Sequence, residues 1–130
     1  MSIVRGALCA AMLALMGGLS CNDGTGPAAG SLRIDLTTPN AGADGAIAFV
    51  VTGPTAPTGV TAAAGLRVFY DTLGTNTKVV VTGTLSTGTI IRLGVADVNQ
   101  VGQYAVVVQQ VAAANYQLRS VAGYSLSVTK

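Results

Sequence analysis

From residue 31 onward the hydrophobic positions recur with a period of two. In Leu32-Arg33-Ile34-Asp35-Leu36-Thr37 apolar and polar residues alternate, the pattern of a strand with one buried and one wet face. Residues 38–45, with Pro39, Asn40, Asp44 and Gly45, carry turn chemistry. A more continuous apolar run at residues 46–52 follows and stops at Gly53-Pro54, and residues 55–59 form a loop. Residues 60–64 suit a strand or a helical turn. Residues 66–70 alternate again and residues 73–76 turn. Residues 78–82 and 89–95 are two strands joined by a short hairpin-like connection at residues 83–88. After a loop at 97–100, residues 103–111 make the longest strand, and residues 112–115 are a helical turn or its continuation. Residues 121–129 close the chain with Tyr124, Leu126 and Val128 on one face. The recurrence of Val51-Thr52-Gly53 at Val81-Thr82-Gly83 reads as two strands each ending at a glycine turn, or as a duplicated unit. Seven to nine short strands without an amphipathic helix predict an all-β fold, an antiparallel β-sandwich over residues 31–130.

The first 20 residues follow a different pattern. One charge, Arg5, precedes an apolar run of 14 residues from Gly6 to Leu19. A bilayer-spanning helix needs about 20 apolar residues, so the run is read as a signal peptide at residues 1–20, with a buried core helix as the alternative. Gly18-Leu19-Ser20-Cys21 resembles the lipobox of bacterial lipoproteins, in which a small residue precedes the cysteine that becomes the new N-terminus. That resemblance implies cleavage between Ser20 and Cys21 and lipid attachment at the Cys21 thiol. It departs from the family pattern at Gly18, where Leu, Val or Ile is usual. Gly18 and Ser20 also suit ordinary signal peptidase, which would leave Cys21 as a lone thiol. Cys9 leaves with the signal, so the mature chain has no internal disulfide. Residues 21–30 hold Cys21 and a Gly- and Pro-containing flexible tether, and the nine residues 22–30 give roughly 15–18 Å of reach.

Composition narrows the chemistry. The chain has no His, no Trp and no Glu, and a net charge of +2. Histidine-based zinc sites, Ser-His-Asp triads and Glu-based acid pairs are therefore excluded, and the sparse charge does not suit nucleic acid. Removing the signal lowers the hydrophobic share from 50% to about 46%, ordinary for a soluble domain. Of the five Asp, Asp23 lies in the tether, Asp35 on an outward strand face and Asp44 in a turn. All five are expected to be solvated. Asp97 and Asn99 match the first and third positions of a calcium loop. Val101 at the fifth position and the absence of Glu favour an Asx turn over a metal site. No nucleophile has a His to activate it, no cofactor motif is present, and the chain is expected not to be an enzyme.

Tyr70, Tyr104 and Tyr124 alternate in phase with Val and Leu and are expected in the core. Tyr116, between Asn115 and Gln117, is the candidate exposed ring. Phe69 is out of phase with Leu66, Val68 and Tyr70, so it faces a partner or the register is wrong. Residues 79–81 and 106–108 are uncharged valine windows able to pair with another chain wherever they form an exposed edge.

The Leu-Arg-Ile-Asp-Leu opening, the Val-Val-Val-Thr-Gly-Thr-Leu segment and Thr-Ile-Ile-Arg-Leu-Gly-Val are similar to cohesin-type and related carbohydrate-binding sandwiches. The resemblance covers most of residues 32–128 and implies a jelly-roll or cohesin-like sandwich, beside an immunoglobulin-like alternative. It carries over no dockerin-binding residue. The chain is also similar in style to small lipoproteins of environmental bacteria. The expected role is a lipid-anchored structural or protein-interaction module of the bacterial cell envelope, touching the membrane through its lipid and another envelope protein or a glycan. A carbohydrate-binding module is the second reading, with Tyr116 and Phe69 as contacts, and a hydrolase the third.

Overall fold

The structure, a computed structural model, describes residues 26–130. The signal reading at residues 1–20 and the cleavage and lipid readings at Ser20 and Cys21 lie outside the described residues.

The strands are β1 (Gly30–Thr37), β2 (Asp44–Thr52), β3 (Gly59–Ala62), β4 (Arg67–Leu73), β5 (Asn76–Leu85), β6 (Gly88–Val95), β7 (Ala105–Ala113), β8 (Leu118–Arg119) and β9 (Ser125–Thr129). A 3₁₀ segment at Val98–Gln103 separates β6 from β7. All pairings are antiparallel. One sheet has the order β9-β1-β6-β3 and the other β4-β5-β2-β7-β8. The inner faces meet in one core because alternate residues of each strand are apolar: Leu32, Ile34 and Leu36 from β1, Ile47, Phe49 and Val51 from β2, Val79 and Val81 from β5, and Leu93 and Val95 from β6 are all nearly inaccessible.

Bulges adjust this alternation. In β6 the register shifts between Ile34 and Asp35 of its partner, which leaves Ile90 as an extra residue and buries both Ile90 and Ile91. In β5 a second shift lies opposite Asp44 and Ala46, beside Gly83. Gly83 takes φ +129°, so β5 continues to Leu85 instead of ending at the expected Gly83 turn.

The connection between β5 and β6 also differs from expectation. It is not a hairpin: β5 and β6 lie in different sheets, and the turn carries the chain across the sandwich. A short turn fixes reversal of direction but not which strand is the next neighbour. The true two-residue hairpin turn is Gly74-Thr75, between β4 and β5. Of residues 60–64, the first three lie in the short strand β3, and of residues 97–100, Asp97 caps the 3₁₀ segment and the rest lie in it.

Antiparallel order gives the sandwich two distinct poles. The N-terminal residues 26–29, the β2–β3 loop, the β4–β5 turn, the 3₁₀ segment and the C-terminus gather at one. Lys130 Nζ donates to Asn99 Oδ1 at 3.4 Å there. The β1–β2, β3–β4, β5–β6, β7–β8 and β8–β9 connections gather at the other.

Candidate functional site

The pole opposite residues 26–29 holds the densest polar cluster among the described residues. Asp44 opens β2 and is 1% exposed, although its turn-like neighbourhood predicts a solvated charge. Its carboxylate is occupied on both sides. Thr38 Oγ1 donates to Oδ2 at 2.5 Å, and Tyr124 Oη donates to Oδ1 at 2.7 Å. Arg119 Nε stands 3.1 Å from the same Oδ1, as an ion pair without hydrogen-bond geometry. Asn40 Nδ2 donates to Tyr124 Oη at 2.9 Å, and the Asn40 backbone N–H donates to Thr38 Oγ1 at 2.9 Å.

This cluster joins three connections. Thr38, Asn40 and Asp44 come from the β1–β2 link, Arg119 from β8, and Tyr124 from the segment before β9. A carboxylate taken from water loses hydration worth several kcal/mol, which only near-complete pairing offsets. Here the partners supply it, so the charge is a clamp. Each carboxylate oxygen of Asp44 accepts one of these hydrogen bonds, which ties the charge to the surrounding loops.

Beside the clamp lies a hollow of about 460 Å³, lined by Gly42, Asp44, Gly45, Thr82, Gly83, Thr84, Ala114 and Tyr116. Three of these eight residues are glycines. A Cβ on Gly45 would come 2.9 Å from the Ala113 carbonyl oxygen. Tyr116 stands at the rim, 82% exposed, on a backbone with φ +67°. Its N–H donates to Ala113 O at 2.8 Å, closing the turn, while the Gln117 N–H donates to Asn115 Oδ1 at 3.1 Å. The volume falls within the range of small-ligand sites, but the lining is backbone and small polar groups, with Tyr116 as its one aromatic ring.

The other expected residues lie elsewhere. Phe69, 57% exposed, sits on the outer face of β4 and is not among the residues lining the Tyr116 hollow. Tyr70 was expected in the core with Tyr104 and Tyr124. It is in phase with inward-facing Val68 but is 49% exposed, because β4 is the last strand of its sheet. Tyr104 is buried, and its ring closes over Gly53, where an added Cβ would clash. Asp35 accepts a hydrogen bond from Thr89 Oγ1 at 2.6 Å. Asp97 Oδ1 accepts from the N–H of Asn99 at 3.0 Å and of Ala28 at 3.2 Å, the geometry of an Asx turn that also pins the incoming chain. Among the described residues no three His, Cys, Asp or Glu cluster as metal ligands, and no helix is long and apolar enough to cross a membrane.

Sequence reading missed Thr38, Asn40, Arg119 and Tyr124 as a group. The Tyr124–Asp44 and Asn40–Tyr124 bonds span about 80 residues, and no local pattern marks them. Compared with family models, with curated proteins and with solved structures, the chain finds no match.

Proposed function

We propose that this protein is an exported, lipid-anchored β-sandwich of the bacterial cell envelope that acts as a structural or protein-interaction module. The observation that carries the reading is the polarity of the sandwich. Residues 26–29 reach the domain at one pole, pinned by Asp97, and the Asp44 clamp and the Tyr116 hollow stand at the other. A chain anchored through Cys21 would thus hold its ordered, cavity-bearing pole away from the membrane. Among sandwich types, the pairing of β1 with β6 and of β2 with β7 supports the immunoglobulin-like form over the cohesin-like one. Metabolic labelling with a clickable fatty acid tests the anchor. The wild-type chain is expected to take up label and Cys21→Ser to lose it; label retained by Cys21→Ser refutes the anchor.

A carbohydrate-binding reading is favoured by one observation, the exposure of the Tyr116 ring at the rim of the hollow. On that reading, binding on a glycan array is expected to disappear in Tyr116→Ala. A blank array for the wild-type protein removes this reading and leaves the first intact.

A further inference from the structure

The four sheet edges of the sandwich are unequal. β3 has four residues and β8 two. β9 has five. Only Val111 and Ala112 of β7 pair with β8, and the register shift between Ala48 and Phe49 bulges β7 at Gln109. β4 is different: seven residues, paired with β5 from Arg67 to Leu73 without a register shift, and unpaired along its other side. A long regular edge presents a row of open N–H and C=O groups that templates another strand.

β4 also carries the most exposed aromatic pair of neighbours in the fold, Phe69 at 57% and Tyr70 at 49%. Phe69 is flanked at equal distances by opposite charges, Arg67 two residues before it and Asp71 two residues after. Neither charge is in an ion pair among the described residues, although Lys78 lies opposite Asp71 in the register.

We propose that β4 pairs antiparallel with β4 of a second copy of this chain, on a two-fold axis through Phe69. In that register Arg67 faces the partner's Asp71, and Asp71 faces the partner's Arg67. Phe69 meets its counterpart on the outer face, and Val68 and Tyr70 face each other on the inner face. Cross-strand ion pairs and aromatic pairs are the contacts that stabilise adjacent strands, and two five-stranded sheets become one of ten. The register is selective. A shift of two residues in either direction sets Asp71 or Arg67 against the partner's Phe69, and a one-residue shift would turn the inner face outward. The adjoining edge strand β3 is short and ends in small residues, Gly59 and Ala62, which leaves room for the second sandwich. The pairing is independent of whether Cys21 carries a lipid.

The test is sedimentation velocity of the full chain in density-matched detergent, with circular dichroism to verify folding. The wild-type chain is expected to dimerise. Arg67→Asp and Asp71→Arg each place like charges face to face twice, so each is expected to raise the dimer dissociation constant about tenfold or more. The double variant Arg67→Asp with Asp71→Arg exchanges the charges and is expected to recover the dimer. A wild-type chain that stays monomeric at 100 μM overturns the proposal. So does a dimer indifferent to both single changes, or a folded double variant no tighter than the singles.

Discussion

Asp44 is closed off from water by Thr38, Tyr124 and Arg119, and its removal strands what they offered it. Asp44→Ala leaves the Arg119 guanidinium without its counter-charge and two donors without their acceptor. Losing one partner of a fully buried pair costs about 3–5 kcal/mol; because Arg119 keeps 31% exposure and can rehydrate, the expected loss is about 2–4 kcal/mol. Tyr124→Phe deletes only the hydroxyl and is expected to cost about 1–2 kcal/mol. Urea denaturation reads both, and an Asp44→Ala midpoint equal to wild type refutes the clamp. The residue was legible only as an Asp before a Gly, which is turn chemistry. Burial of that carboxylate depends on side chains about 80 positions away, and residue type alone carries no trace of them.

At the scale of elements, alternation was sufficient to find nearly every strand, because each has one face in the core and one in water. Its failures have physical causes. Gly83 was read as a terminator, yet it sits inside β5 at φ +129°, with Leu66 Cδ2 2.8 Å and Gly65 O 3.1 Å from where a Cβ would stand. Gly83→Ala combines backbone strain with a steric contact and is expected to destabilise by about 2–3 kcal/mol. Gly59→Ala, with open space at the same position, is expected to stay within about 0.5 kcal/mol of wild type or gain slightly. Thermal melts of the two variants should therefore separate by several degrees, and equal melts contradict the bulge geometry. Which strands pair was less legible than where they are. The β5–β6 turn looks like a hairpin in sequence, and only the sheet order shows it to be a crossing. Phe69 was out of phase because it lies on the outer face while its neighbours Val68 and Tyr70 face inward, so the register was right and the ring is exposed.

For the whole molecule, the direction of β4 governs how two copies share space. Strands that pair antiparallel reverse their molecules, so the N-terminal poles of a β4-linked pair point in opposite directions. The ten residues of β5 span about 30 Å, longer than the roughly 15–18 Å r.m.s. end-to-end distance of a flexible nine-residue tether. If both copies carried the proposed lipid in one bilayer, they would join most readily lying flat, their strands running along the lipid surface. Lipid-anchored copies standing upright would join across a gap, each rooted on its own side. If Cys21 carries the proposed lipid and β4 pairs as proposed, an edge strand seven residues long would limit the pair to tiling one surface or bridging two.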